Sequence, residues 1–173
     1  MRWVFLDRIS EVVPGERIVG HKGVASSEDY FADHFPGYPV LPGVVQIEAL
    51  AQVSGKLIEL TVFERDRRWV WPIISIVKKA KFRRFVQPGC VLTLESTLTE
   101  IREESAICKT AAKIDGKITT EAELIFVFNP GSLSTPEAQA KLEQLERENL
   151  RQLWPGYPDW DARLRSPTEG GPK

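Results

Sequence analysis

The longest apolar segment of the chain, residues 44–63, limits most strongly what the chain can fold into. It follows Pro42-Gly43, contains no proline, and is longer than an ordinary strand, so it predicts a helix. The apolar residues fall on nearly every face of that helix: Val44, Val45, Ile47, Leu50, Ala51, Val53, Leu57, Ile58 and Leu60. Because a helix that is apolar all round is buried all round, other elements must enclose it.

Turn signals divide much of the remaining sequence into segments of strand character. The turns are Val13-Pro14-Gly15, Gln87-Pro88-Gly89 and Asp115-Gly116, the last being typical of a type I′ hairpin. The predicted strands lie near residues 3–12, 17–25, 70–86, 91–103, 105–114 and 117–128. One long buried helix and five or six mostly antiparallel strands pack together only if the sheet curls around the helix, which predicts an α+β fold.

Composition excludes several classes of protein. The 173 residues carry a net charge of -1 with 27% charged residues, which argues against disorder and against general nucleic-acid binding. The sequence shows neither an uninterrupted apolar run of membrane-spanning length nor a signal peptide, so a cytoplasmic protein is expected. Two cysteines, Cys90 and Cys108, and two histidines share no zinc-binding spacing. We expect no metal site and two buried thiols.

The composition changes after Asn129-Pro130-Gly131, towards Glu, Gln, Leu and Arg. We therefore divide the chain into a domain at 1–129 and a C-terminal extension at 130–173. The extension should contain a helix at about 136–153, with Thr135 as N-cap and an apolar stripe of Leu142, Leu145 and Leu153. The aromatic segment 154–160 should dock on the domain, and the tail at 166–173 should be disordered.

Glu48 stands out because it lies one turn into a helix whose neighbouring residues are apolar. It could be exposed at the helix start, where the helix dipole favours an anion. Gln52 follows four residues later on the same face, which favours instead a polar site shared by the two side chains inside the protein. Burial of an unpaired carboxylate is costly.

His34 lies in a loop stiffened by three prolines between residues 36 and 42. A lone loop histidine is most often structural or solvated, but a rigid loop also suits a side chain that must be held still. The following helix begins near Gly43, where free N–H groups could receive a developing oxyanion. Imidazole, carboxylate and amide donors within 15 residues form a plausible acid, base and oxyanion set.

A long run around these residues resembles the active-site signature of the (3R)-hydroxyacyl-acyl carrier protein dehydratases of type II fatty acid synthesis. The run is His34-Phe35-Pro36-Gly37-Tyr38-Pro39-Val40-Leu41-Pro42-Gly43-Val44-Val45-Gln46-Ile47-Glu48-Ala49-Leu50-Ala51-Gln52. The resemblance extends over about residues 3–128. It implies the hot-dog fold, a long helix wrapped by a curved antiparallel sheet.

The resemblance also implies roles for individual residues. His34 would be the catalytic base and Glu48 the catalytic acid, with Gln52 in support. The Gly43 N–H would bind the thioester carbonyl, and the Val40 carbonyl would orient the imidazole. In this family the histidine and glutamate of one site come from opposite subunits, which implies a homodimer or a higher assembly of dimers. The reaction removes water from a thioester carried on acyl carrier protein and needs no cofactor.

A basic run at residues 78–84 lies on a predicted strand, which would place Lys79, Lys81 and Arg83 on one face and turn Ala80 and Phe82 inward. The run could be a solvated outer face. It could equally dock the acidic carrier protein near the mouth of a tunnel that binds the acyl chain.

Two other functions compete with the dehydratase. A hot-dog acyl thioesterase would use the carboxylate to activate water and would release free thiol. A non-catalytic acyl-binding partner subunit is suggested by Asp33, which replaces the usual glycine before the histidine, and by the extension. The presence of both His34 and Glu48 argues against such a subunit.

Overall fold

The computed structural model describes residues 3–128 and 135–165 and contains six strands, one short 3-10 helix at Asp29–Ala32, and three α-helices. The strands are β1 (Arg8–Val13), β2 (Arg17–Gly23), β3 (Pro72–Phe82), β4 (Val91–Ile101), β5 (Ser105–Ile114) and β6 (Lys117–Phe128). The helices are α1 (Gly43–Asp66), α2 (Pro136–Leu153) and α3 (Tyr157–Arg165).

The six strands form one antiparallel sheet in the order β1-β2-β4-β5-β6-β3. Its turns have the expected chemistry, since Asp115 and Gly116 both adopt positive φ, as a type I′ turn requires. Gly15 has a φ of 82° in the turn between β1 and β2. The order leaves β1 and β3 at the two edges of the sheet. The predicted hot-dog arrangement of sheet and helix is confirmed.

Helix α1 packs along the concave side of this sheet and supplies much of the core. Ala49, Leu50, Val53 and Leu57 are fully buried. The helix extends three residues beyond the predicted end and terminates at Arg67, whose φ of 57° places it in the left-handed region. Val44 contradicts the expectation of burial on all sides, because it is 75% exposed. Within the described residues, no helix is both long and apolar enough to cross a membrane.

Strand β3 is shorter than predicted, and its side chains do not alternate between a buried and an exposed face. Its pairing with β6 is interrupted by two irregularities, and Lys79 has a φ of 53° inside the second. Such bulges break the alternation of side chains. The prediction that Ala80 and Phe82 point inward is therefore wrong, since both side chains are exposed. Nearly every residue of this edge strand is exposed, including Ile73, Ile76 and Val77.

The C-terminal region begins with a capped helix and continues into a second one. The Thr135 side chain accepts a hydrogen bond from Ala138 N–H, and Pro136 is the first helical residue. The buried positions of α2 are Leu142, Glu146 and Leu150, so Leu142 is buried as predicted, whereas Leu145 is exposed and Leu153 is only half-buried. The predicted boundary at 129–131 and the tail at 166–173 lie outside the described residues.

The aromatic segment after α2 folds into α3, a helix that its sequence did not predict. Tyr157 and Trp160 are almost fully buried, and the Trp160 ring lies 5.9 Å from that of Phe63 in α1. Arg147 of α2 lies over the Phe63 ring at 5.1 Å and pairs with Asp161 of α3. The two C-terminal helices thus pack together against the C-terminal half of α1.

Candidate active site

Both backbone polar groups of His34 form hydrogen bonds within its loop. The His34 N–H donates to the Tyr30 carbonyl, and the Val40 N–H donates to the His34 carbonyl. Nδ1 of the imidazole lies 2.7 Å from the Val40 carbonyl oxygen. Because a carbonyl can only accept, Nδ1 carries the proton and Nε2 is left with a lone pair. The loop geometry therefore presents His34 as a base.

Glu48 is held by Gln52, one turn further along α1. The Gln52 side-chain N–H donates to Glu48 Oε1 at 2.9 Å, and the Gln52 oxygen accepts from the Phe5 N–H at 2.8 Å. Since Phe5 N–H is a donor, the amide has only one orientation that satisfies both contacts. Gln52 thus links the carboxyl group of Glu48 to the N-terminal segment.

Gly43 begins α1, where backbone N–H groups have no partner within the helix. A Cβ at this position would lie 2.6 Å from the Phe82 ring, so only glycine fits beneath that ring. Phe82, which was expected in the core, instead covers the start of α1 and is 54% exposed. This contact places the end of β3 beside the backbone donor that the sequence singled out.

A cavity of about 730 Å³ lies on the side of α1 that carries Glu48 and Gln52. Its wall includes Trp3 on one side and, on another, Trp71 and the first residues of β3. Helix α2 closes a third side. His34 does not line this cavity, and no hydrogen bond joins it to Glu48 in the described part of the chain. Within one chain, Glu48 therefore lies beside a cavity whose lining does not include His34.

The three basic residues predicted to share one face differ in their surroundings. Arg83 and Lys81 both pair with Glu121, at 2.6 and 3.6 Å. The Arg83 guanidinium lowers the pKa of the Glu121 carboxyl. Lys79 forms no ion pair in the described ranges, and neither does Arg84, the last residue of the basic run. Lys81 and Arg83 are the chain neighbours of Phe82, whose ring lies at Gly43, at the start of α1.

The thiols and histidines outside the site provide no further chemistry. Burial raises the pKa of the Cys108 thiol to about 11, while Cys90 is only half-buried and so differs from the expectation. His21 Nε2 lies 2.8 Å from the Ser10 hydroxyl. Among residues 3–128 and 135–165, no group of three or more His, Cys, Asp or Glu side chains is placed to share a metal ion.

Sequence reasoning missed a charged cluster at the other end of the cavity. Lys56 and Glu59 of α1 meet Glu146 of α2 there, and all three side chains are largely buried. The spacing of Lys56 and Glu59 after Gln52 on one helix face was a usable signal. Glu146 could not be found in this way, because its position depends on how α2 packs.

The FabA-like domain family matches residues 2–126. The 3-hydroxyacyl-acyl-carrier-protein dehydratase FabZ of Clostridium acetobutylicum is 41% identical over 126 residues, which cover 72% of this chain and 86% of that protein. The protein of the same name from Enterococcus faecalis is 43% identical over 126 residues, covering 73% and 87%.

Solved structures share the fold at low sequence identity. A chain of the dehydratase heterocomplex ApeI:P from Xenorhabdus doucetiae superposes with a TM-score of 0.64 at 16% identity, covering 75% of this chain and 86% of its own. A hypothetical thioesterase with coenzyme A from Streptococcus pneumoniae gives 0.54 at 12% identity, covering 70% and 84%. At these identities the similarity concerns the fold alone.

Proposed function

The chain belongs to the FabA-like domain family, and on that premise we propose that it removes water from a (3R)-3-hydroxyacyl thioester to give a trans-2-enoyl thioester. The acyl group is carried on acyl carrier protein, and the reaction serves fatty acid or related acyl chain synthesis. The cytoplasmic location expected from the sequence stays a prediction.

The proposed reaction needs one base, one acid and one oxyanion donor. His34 Nε2 takes the proton from the carbon next to the thioester carbonyl, and the Gly43 N–H stabilises the enolate-like charge on that carbonyl oxygen. Glu48 gives its proton to the departing hydroxyl, which leaves as water. The C–H electron pair becomes the new double bond, and the proton returns from His34 to Glu48 to close the cycle.

The observation that best supports this assignment is the hydrogen bond from His34 Nδ1 to the Val40 carbonyl. It fixes the tautomer in which Nε2 is the base, and the Gln52 amide holds the acid in a comparable way. Both supports are internal to the chain and present without substrate. Such preorganisation is what a proton-transfer site requires.

A homodimer is the proposed working unit. His34 does not line the cavity of Glu48 within one chain, so a second chain is the natural source of the base. The edge strand β3 exposes the apolar residues Ile73, Ile76 and Val77 along an unpaired sheet edge, which a second β3 can cover. Pairing of two such edges would bring two sites into one molecule.

Carrier protein docking is proposed for the basic residues beside Gly43. Lys79 and Arg84 have their charge available, while Lys81 and Arg83 share theirs with Glu121. A negatively charged carrier would be steered towards the start of α1, where its thioester must lie. Charge reversal at Lys79 should reduce the rate with carrier-bound substrate at low salt and leave a small pantetheine thioester unaffected.

The division at 129/130 is likewise a proposal. Residues 1–129 would hold the chemistry, and 130–173 would form an extension that packs on the C-terminal half of α1. The contacts of Trp160 and Arg147 with Phe63 support this arrangement.

The decisive experiment incubates the protein with (3R)-3-hydroxyacyl and trans-2-enoyl thioesters of acyl carrier protein and follows their masses. Loss of one water from the first and gain of one by the second are expected, since dehydration is reversible. Release of free thiol and of the acid, with no loss or gain of water in the acyl chain, would identify a thioesterase instead. No conversion of either thioester would favour the non-catalytic acyl-binding subunit.

A further inference from the structure

The cavity next to Glu48 has chemically different ends. Near Glu48 its wall includes Leu6, Ala51 and Ile74, as expected for a space that holds an acyl chain. Further along α1 the wall changes to Lys56 and Glu59, and α2 adds the side chains of Glu146, Asn149 and Gln152.

The charged cluster at this far end is closed on itself. Lys56 Nζ donates to Glu59 Oε2 at 2.8 Å and also to Glu146 Oε2. The side chains of Glu59 and Glu146 are each 8% exposed. Each carboxyl group accepts a hydrogen bond from Lys56, and burial, opposed by Lys56 and reinforced by Glu146, raises the pKa of Glu59. The cluster is therefore satisfied without a ligand.

An alkyl terminus that reached this cluster would cover the part of Lys56, Glu59 and Glu146 that still faces the cavity and could give no hydrogen bond in return. Such covering is unfavourable for charged groups in particular. By contrast, an alkyl chain that ended before the cluster would contact only the apolar part of the wall. The position of Lys56 along α1 should therefore set how long an acyl chain the cavity accepts.

Helix geometry gives the distance available. Lys56 follows Glu48 by two helical turns, which is about 12 Å at about 1.5 Å per residue. An extended alkyl chain advances about 1.25 Å per carbon, given C–C bonds of about 1.5 Å and angles near 111°. About ten carbons therefore fit between the carbon that loses its hydroxyl beside Glu48 and the charged cluster.

We propose that Lys56, Glu59 and Glu146 form a polar stop that restricts this enzyme to acyl chains of short and medium length. The inference depends on the proposed dehydratase function, and it assigns a specificity role to the α1–α2 contact. The C-terminal extension thereby acts on substrate choice without touching the reacting atoms.

The test measures kcat/KM for a series of 3-hydroxyacyl carrier-protein thioesters, from hydroxybutyryl to hydroxyhexadecanoyl. Chains up to about dodecanoyl should be converted, and kcat/KM should then fall at least about tenfold, since one methylene too many is worth about 10- to 200-fold in a closed pocket. Equal conversion of hydroxybutyryl and hydroxyhexadecanoyl substrates would overturn the polar stop alone. Failure to convert any of them would overturn the dehydratase function itself.

The apolar variant Lys56→Met/Glu59→Leu/Glu146→Leu tests the cluster directly. Complete replacement of a buried ion cluster by apolar residues of similar volume is often tolerated, whereas a substitution that leaves a buried charge without a partner is not. The variant should keep the hydroxybutyryl rate and gain at least about tenfold on the hydroxyhexadecanoyl substrate. The matched control is Lys113→Met/Glu95→Leu, an ion pair of β4 and β5 outside the cavity, which should leave the profile unchanged.

A second variant should shorten the longest acyl chain that the cavity accepts, whereas the apolar variant should lengthen it. Gly55 lines the cavity one residue before Lys56, and a Cβ there would lie 3.9 Å from its nearest neighbour, a Glu59 oxygen. Gly55→Leu fills this space, so the longest accepted chain should become shorter by about two to four carbons at about 1.25 Å each. An unchanged limit in a folded Gly55→Leu variant would show that the acyl chain does not run along this wall and would overturn the proposal.

Discussion

The hydrogen-bond partners that hold His34 lie close to it in sequence, whereas those that hold Glu48 include a residue of the N-terminal segment. The His34 imidazole is fixed by Val40, six residues away in the same loop. Glu48 is fixed by Gln52, and through it by the backbone of Phe5, which precedes Gln52 by 47 residues in the sequence. The proposed base is therefore positioned by local structure, whereas the position of the proposed acid depends on packing of the N-terminal segment against α1.

Substitution of either residue should abolish most of the turnover while the fold remains. His34→Ala removes the base, and Glu48→Gln keeps the size and the contact with Gln52 but cannot give up a proton. Each should lower kcat by at least about a hundredfold, the usual contribution of a positioned acid or base. His21→Ala, a substitution at the other histidine, should leave the rate unchanged. A near-parental rate in either catalytic variant would contradict the assignment.

The signature run made the identities of these residues predictable, together with the contact between His34 and Val40. The support of Glu48 was predictable only in part, because the spacing of Gln52 indicates a shared face but not the partner Phe5. Phe82 was misplaced, since the alternation of a regular strand would bury it. Two bulges in β3 changed its direction, and bulges leave little trace in a single sequence.

At the scale of elements, most boundaries follow from turn chemistry. Asp115-Gly116 and Gly89 adopt backbone conformations that strands do not adopt, so β5 ends and β4 and β6 begin where the sequence predicts, whereas β3 already ends at Phe82. Helix α3 was not predicted, because Trp154-Pro155-Gly156 reads as a loop and the following residues have a weak helical pattern. Its burial against Phe63 stabilises it, which is a tertiary effect that local sequence does not contain.

The ion cluster between α1 and α2 should respond unequally to loss of its members. Lys56→Met leaves two buried carboxyl groups facing each other and should lower the free energy of unfolding by about 3–5 kcal/mol at neutral pH. Glu59→Gln keeps the pair of Lys56 and Glu146 and should cost little. Urea denaturation of both variants measures the difference. An equal loss of stability in the two variants would contradict this account of the cluster.

The contribution of Glu59 to the free energy of unfolding should decrease as the pH rises. Because the pKa of Glu59 in the folded chain is raised above its ordinary value of 4.5, the folded state holds a proton that the unfolded chain releases above that pH. The contribution of Glu59 to stability is therefore present in acid and is lost as the pH rises through the folded pKa. Glu59→Gln should remove this part of the pH dependence.

At the scale of the whole molecule, the C-terminal helices cover part of the core rather than forming a separate unit. Trp160 contacts Phe63, and Arg147 lies over both Phe63 and Trp69. Composition alone predicted that a boundary exists after residue 129. It could not predict that the core of the domain is incomplete without the residues that follow, because that depends on which surface the extension covers.

Truncation after residue 131 should accordingly lower stability while the dehydration chemistry survives in whatever remains folded. Trp160→Ala is the milder test and should cost about 3–5 kcal/mol, the usual loss for a buried Trp. Leu145→Ala, at an exposed position of α2, should change stability by less than about 0.5 kcal/mol. Thermal unfolding with a parallel activity assay separates the two effects. Loss of activity in a folded, dimeric truncation would instead place the extension in the chemistry.

The proposed assembly predicts that two inactive chains can restore each other. If each site takes His34 from one chain and Glu48 from the other, a mixed dimer of His34→Ala and Glu48→Gln has one site with both groups intact and one with neither. Random exchange makes about half of the dimers mixed, so activity should return to about a quarter of the parental value.

The mixing experiment needs proof of subunit exchange, for which differently tagged chains and native mass spectrometry suffice. The matched control replaces one partner by the double variant His34→Ala/Glu48→Gln, which cannot complete a site with His34→Ala and should restore nothing. Exchange without recovery would mean that both groups act within one chain, and the separation of His34 from the Glu48 cavity would then have to close by movement of the His34 loop. Recovery near a quarter would establish the site as shared, because no rearrangement within a single variant chain can replace the group that it lacks.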